Sequence, residues 1–363
     1  MRKIIFISKV PISSFPRLFG IPLSLSNLGY SVIIIAPGEL PEILENKNKI
    51  LFEKINIADF NIRYLRKIFL WFSFRISVIK KLQNYKEDNV LWLSSADSAI
   101  PLFGFINTYE FILQINELYD KVPFYKFMLK RISKYARSVV VPEINRAFII
   151  KVWFNLKNVP HVLPNKPNYL LLESPSLTID EKNRIDEINI FIGERKMILY
   201  LGIIANDRKF EGVVNFVKES QDYCLVLIGK DLGYLKEINN DSEKILYGGY
   251  FTPPAHLEIV KSAHICLMAY DTTSLNNIYC APNKIWEYTL YNKPILSQTL
   301  PVIEAIFDKY KIGVCCDLNI LSEVKIAINE IDDSYNVLQN NTEIFFNSIN
   351  IESDIKSIIH SNI

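Results

Sequence analysis

Eleven short, apolar, β-branched runs separated by helix-length segments restrict the fold of this chain more than any other feature. The first five are KIIFIS (3–8), SVIIIA (31–36), VLWLSS (90–95), EFILQI (110–115) and SVVVP (138–142). The other six are MILYLG (197–202), CLVLIG (224–229), KILYGG (244–249), ICLMAY (265–270), PILSQ (294–298) and IGVCC (312–316). Such runs are apolar throughout rather than alternating, so they predict strands buried on both faces, as in parallel sheets covered by helices. Two series of them predict two doubly wound α/β domains, and 363 residues suffice for two cores. The Pro-, Asn- and acid-rich stretch between the series has no clear period and predicts a linker over 166–195. The expected domains are therefore 1–165 and 196–340. Residues 341–363 read as a C-terminal helix that follows no further strand and packs back on the first domain.

Charge separates the halves. Residues 1–165 carry 23 Lys+Arg against 12 Asp+Glu (net +11), and residues 166–363 carry 18 against 27 (net −9). A basic front half suggests an anionic partner. Nucleic acid fits poorly, because no recognition motif is present and the acidic half would repel phosphates. No apolar run reaches the ~20 residues of a membrane helix. The N-terminal MRKIIFISK reads as a first strand rather than a signal peptide. Cys224, Cys266, Cys280, Cys315 and Cys316 lack CxxC spacing, which predicts buried thiols in a reduced, cytoplasmic protein. Four scattered histidines and the lack of any D-x-D pair give no metal-ligand pattern, so no metal and no cofactor are expected.

The most informative local stretch is YCAPNKIWEY (279–288), after the ICLMAY strand and its loop. Ligands of doubly wound sheets bind beyond the carboxyl ends of strands. Pro282 suits a first helical position, where its missing N–H has no partner to lose. The amides of Asn283 and Lys284 would then face an anion. Residues three and four apart share a helix face, so Asn283, Lys284 and Glu287 can meet one ligand, with Glu287 accepting from a ribose diol. A capped surface helix with a favourable acid near its start fits the same residues.

APNKIWEYTLYNKPILSQTLP resembles the PNKxFEYxxxGKPxxxS segment of GT-B glycosyltransferases of the family 4 type. ILYLGIIANDRKFEGVVNFV is similar to that family's YxGxxxxxRGxexLI strand, loop and helix, and the order of the later elements agrees over about 190–320. The resemblance implies a GT-B fold, two Rossmann-like domains facing a central cleft. It matches Glu287 to the second glutamate of an E-x7-E motif that binds the donor ribose, and Arg208 to a basic residue on the donor diphosphate. Gly202 matches the glycine that lets backbone approach the donor. Tyr250, Phe251 and Thr252 match the segment that holds the base. Tyr279 and Ile203 stand where relatives place the first glutamate and a second basic residue; Lys209 or Lys284 can compensate. Asn276 and Asn277 read as turn residues or donor-sugar contacts.

The front half resembles the acceptor domain of the same family. Asp97 lies just past VLWLSS, and Asn116 and Glu117 stand where relatives carry a histidine and an acid. Glu117 can orient an acceptor hydroxyl or take its proton. Arg17, in the first loop, is a candidate contact to an anionic acceptor. In residues 61–86, Ile62, Leu65, Phe69, Phe72, Ile76 and Ile79 form one helical stripe expected to pack on the sheet. Leu70, Trp71, Phe74 and Val78 lie outside it. With them run Arg63, Arg66, Lys67, Arg75, Lys80, Lys81 and Lys86 and no acid. That excess apolar surface among cations, repeated in 125–137, suits an anionic membrane surface.

The resemblance thus implies a glycosyltransferase that moves a sugar from a nucleotide-diphosphate sugar to a glycan, with retention of configuration and without a metal. The acceptor would be a lipid-linked oligosaccharide at the cytoplasmic face of a bacterial inner membrane, in capsule or O-antigen assembly. Two rivals share the fold: a non-catalytic nucleotide-sugar-binding subunit and a nucleotide-sugar epimerase. The latter would need a set of cleft acids and histidines, and the chain's poverty in histidine argues against it.

Overall fold

The computed structural model describes every residue except 1–2, 15, 46, 59–64, 86–87, 168–176, 239–242 and 362–363. The chain divides into two compact units, Met1–Leu171 with Asn350–Ile363, and Leu172–Ile349.

The first unit is built on a seven-stranded sheet: β1 (Ile4–Ile7), β2 (Val32–Ala36), β3 (Ile50–Lys54), β4 (Val90–Leu93), β5 (Glu110–Gln114), β6 (Ser138–Val141) and β7 (His161–Val162). All pairs are parallel, in the order β3-β2-β1-β4-β5-β6-β7. Every residue of β1, β2 and β4 is buried, which is why they read as unbroken apolar runs. β3 escapes the sequence reading because its ILFEK is only partly buried. As an edge strand it carries Glu53 and Lys54, a usual guard against pairing with another chain.

The second unit repeats the plan with β8 (Lys196–Leu201), β9 (Tyr223–Ile228), β10 (Ile245–Gly249), β11 (Ile265–Met268), β12 (Ile295–Gln298) and β13 (Gly313–Cys316). These six parallel strands follow the order β10-β9-β8-β11-β12-β13. In both sheets the order reverses at the first strand. That leaves a crevice at the carboxyl ends of β1 and β4 in one unit and of β8 and β11 in the other.

Three expectations are corrected. Much of the expected linker is a helix, Ile179–Ile192, begun by a capping box in which Thr178 and Glu181 satisfy each other's backbone amides. Its Ile188 and Ile192 enter the second unit's core. Residues 168–176 of that linker lie outside the described residues.

The expected C-terminal helix over 341–363 is two helices. Tyr335–Asn347 stays in the second unit, where Phe345 stacks on Trp286 with ring centroids 4.9 Å apart. Ile351–His360 belongs to the first unit and buries Ile355 and Ile358 beside the helix Pro16–Asn27.

The third correction is rotational. The helix Arg66–Leu82 buries Phe74, Val78 and Leu82, while Leu65, Ile68, Phe72 and Ile76 are exposed. Of the apolar stripe expected to face the sheet, Leu65, Phe72 and Ile76 are exposed and Phe69 and Ile79 only half-buried. The helix is apolar nearly all round, so periodicity could not choose its face. Polar anchors choose it: the Trp71 indole donates to Asp97 at 3.0 Å, and Arg75 donates to the Pro101 and Phe103 carbonyls at 2.6 and 3.1 Å. Those two residues lie on the same side as Val78 and Leu82. Ile62, Arg63 and Lys86 lie outside the described residues.

Candidate functional site

In the second unit, β8 ends at Leu201 and the chain turns at Gly202, whose φ of +151° is open to glycine. The following loop brings Arg208 over the ring of Tyr270, just beyond β11, with its guanidinium carbon 4.7 Å from the ring centroid. The Asp271 amide donates to the Asp207 carbonyl at 3.0 Å, tying the two loops across the switch point. Deeper, the buried Tyr288 hydroxyl accepts from the Leu201 amide at 3.3 Å and donates to the Leu267 carbonyl at 3.1 Å. One side chain thereby fixes the helix Lys284–Leu290 against the carboxyl ends of both strands.

That helix begins at Lys284 rather than at Pro282. Asn283 is its N-cap, without a side-chain capping bond, and Pro282 precedes it. The charged groups at this helix start are the side chains of Lys284 and Glu287. Lys284 Nζ is 2.6 Å from Glu287 Oε2, and His256 Nε2 is 3.2 Å from the same oxygen. Glu287 is only 7% exposed. Burial pushes its carboxyl up, but Lys284 and His256 outweigh that and hold it below the ordinary carboxylate range. Among the described residues, His256 Nδ1 and Asn283 Oδ1 are buried with no hydrogen-bond partner. An ionised, nearly buried carboxylate with unfilled polar atoms beside it is suited to a polar ligand.

His256 gave no signal in the sequence. It stands 31 residues before Glu287 and meets it only through the fold. Arg184 was missed too. From the helix Ile179–Ile192 it donates to the carbonyls of Gly248 and Tyr250 at 2.6 and 3.0 Å, holding the turn after β10.

The other expected donor residues separate. Tyr250 and Thr252 are exposed on that turn. Phe251 is 2% exposed in the core, with the Arg184 guanidinium 4.0 Å over its ring, so its side chain serves packing rather than a base. Lys209 points away to Glu237 and Glu211, at 3.4 and 3.5 Å, on the surface. Ile203 is exposed and Tyr279 half-buried. Asn277 donates to Asp271 at 3.0 Å and so shapes the loop, as a turn residue does.

In the first unit, Asp97 lies beyond β4 and accepts from the Tyr125 hydroxyl at 2.6 Å and the Trp71 indole, with Lys9 4.0 Å away. Asn116 is buried, and its carboxamide is taken up by Gln114 and the Ser94 carbonyl, both at 3.0 Å. It orders the strand ends rather than offering itself to an acceptor. Glu117 is 3.5 Å from Arg146, and Arg17 donates to Asn165 at 3.2 Å. Tyr119, two residues on, takes a left-handed φ of +56°, unusual for a bulky side chain and a mark of local strain.

The chain matches no known protein-family profile, and no curated protein matches it. Solved structures do. The chain is similar to HepE of Anabaena in complex with UDP and glucose, with 12% identity, a TM-score of 0.69, and 99% of this chain and 98% of that one covered. It is similar to sucrose-phosphate synthase from Thermosynechococcus elongatus, with 13% identity, TM-score 0.68, and 99% and 95% covered. It is also similar to WaaG, a glycosyltransferase involved in lipopolysaccharide biosynthesis, with 9% identity, TM-score 0.65, and 99% and 100% covered. The fold is therefore that of GT-B glycosyltransferases, two parallel-sheet α/β units.

Proposed function

We propose that this chain is a glycosyltransferase whose second unit binds a nucleotide-diphosphate sugar. The observation that carries the reading is the buried Glu287, held by Lys284 and His256 on a helix pinned to the same switch point as Arg208. Glu287 would accept from the ribose diol, and Arg208 would stabilise the charge that grows on the leaving diphosphate. With retention of configuration, the bond from the anomeric carbon to the donor phosphate breaks while the acceptor oxygen joins the same face. The departing phosphate oxygen then takes the acceptor proton. Asp97 and Glu117 are the first unit's candidates for binding the acceptor. No step in this scheme calls on a metal. HepE was solved with UDP and glucose, which favours a uridine donor as the first to try.

The test is incubation with UDP-, GDP-, TDP- and CMP-linked sugars and assay of released nucleotide. One donor is expected to be consumed, and Arg208→Gln is expected to slow its turnover by roughly 10²–10³-fold. A second reading is favoured by Tyr279 and Ile203 at positions where relatives carry Glu and a basic residue: a non-catalytic binding subunit. It prevails if a nucleotide raises the melting temperature yet no donor is cleaved or transferred.

The acceptor we propose is a lipid-linked glycan at the cytoplasmic membrane face, in surface polysaccharide assembly. None of the described helices is long and apolar enough to cross a membrane, so contact would be made from outside the bilayer. Support comes from the rotated helix Arg66–Leu82, which exposes Ile68, Phe72 and Ile76 among Arg66, Lys67 and Lys80. The helix Pro123–Ile132 adds exposed Phe124 and Phe127 among Lys126, Lys130 and Arg131. Trp71 and Phe124 stack with centroids 6.0 Å apart, joining the two patches. Neither helix carries an acid. Apolar rings bordered by cations suit an anionic interface. Flotation with phosphatidylglycerol vesicles is expected to show salt-sensitive binding. Phe72→Ser with Phe127→Ser should weaken it about tenfold or more; equal binding by the double variant refutes the patch.

A further inference from the structure

Glu287 holds both of its partners on one oxygen. Lys284 Nζ and His256 Nε2 meet Oε2 at 2.6 and 3.2 Å, and no bond from the described residues falls on Oε1. Oε1 is still reached by solvent, although the side chain is only 10% exposed. An ionised carboxylate can only accept, so the hydrogen between His256 and Glu287 sits on Nε2. Each carboxylate oxygen offers about two lone-pair sites. Those of Oε2 are filled by the ammonium and the imidazole. Those of Oε1 are left for two further donors.

His256 has no second polar task. It immediately precedes the helix Leu257–Ser262, its side chain is 8% exposed, and its Nδ1 is buried without a partner among the described residues. A buried ring nitrogen left unbonded costs free energy that an aliphatic side chain would not. The one hydrogen bond the ring makes goes to Glu287. Lys284 is a looser hold on the same oxygen, because its ammonium sits on a flexible stem that is 24% exposed.

We infer that His256 is a positioning residue for the nucleotide: by holding Oε2 it turns Oε1 to the ligand, where two open lone-pair sites match the vicinal hydroxyls of a ribose. This rests on the nucleotide reading of the second unit. It adds a selectivity, for ribonucleotides over 2′-deoxyribonucleotides. A missing hydroxyl leaves one acceptor of a nearly buried carboxylate unmet.

Calorimetry with UDP, GDP, ADP and CDP identifies the tightest nucleotide, which is then compared with its 2′-deoxy form. The wild-type chain is expected to prefer the ribonucleotide by roughly tenfold to a hundredfold. In His256→Ala that preference should shrink to about threefold or less, because a carboxylate free to rotate no longer presents Oε1 to both hydroxyls. His256→Gln keeps an N–H that can reach Oε2 and should restore most of the preference. A purely structural His256 would lower the affinity for both forms alike and leave the preference intact. That result overturns the inference, as does a wild-type chain that binds both forms equally. Binding of none of these nucleotides would overturn the nucleotide reading itself, and this inference with it.

Discussion

Glu287→Ala is expected to weaken UDP binding at least about tenfold and to lower the unfolding free energy by about 3 kcal/mol. The two effects have one cause. Lys284 and His256 both rest on Glu287 Oε2, and removing that acid leaves two polar groups in a buried space without their shared partner. Breaking a buried charged pair costs more than such a pair contributes, because the survivors stay desolvated. Calorimetry with UDP and urea unfolding read the two effects separately, and undiminished UDP affinity would refute the ribose assignment. Glu287→Gln keeps the shape and sharpens the test through pH. The Glu287 carboxyl sits below its ordinary 4.5 in the folded chain. Its stabilising contribution is therefore present above that value and is lost as pH falls from there toward the folded pKa. Wild-type stability should decline through that acid window. The Gln variant should lack this part of the slope, although it starts from a lower stability at neutral pH.

Gly229→Ala is expected to cost at least about 3 kcal/mol and to abolish nucleotide binding. Gly229 follows β9 directly at φ +142°, and an added Cβ would lie 1.7 Å from the Gly202 carbonyl oxygen. That oxygen belongs to backbone that cannot yield without moving the turn after β8, from which the Arg208 loop departs. The Gly202 amide bonds to Ile228 and the Gly229 amide to Gly249, both at 2.9 Å, so the strain would spread along three strand ends. Gly104→Ala is the matched control: its φ is +85°, and nothing lies within 4 Å of the added carbon. It should cost only the conformational penalty, about 1 kcal/mol. Denaturant unfolding that gave both variants the same loss would show that close approach at Gly202 is not what makes Gly229 a glycine.

The sequence exposed those features whose cause is local. Val32–Ala36 and Met197–Leu201 are buried on both faces, and burial of that kind writes an apolar run that can be read without a structure. Glu287 was legible because it stands one turn into a helix that follows a strand and its loop along the chain, and Arg208 only through the resemblance to the family's strand, loop and helix. The capping box at Thr178 was equally local: its T-x-x-E spacing was there to be read, but the acid and Asn around it hid the helix. What distant segments decide was not legible. The helix Arg66–Leu82 offers apolar residues on more than one face, and only Asp97 and the Pro101 and Phe103 carbonyls fix which face turns inward.

The sequence by itself therefore determined two parallel α/β units, because hydrophobic periodicity is a property of neighbouring residues. The tertiary structure decided the partners of the charges: His256 and Lys284 on Glu287, Arg184 on the turn after β10, and Arg146 on Glu117. The physical reason is that a charge is stabilised by whatever surrounds it in space, and parallel crossovers bring together residues far apart in the chain.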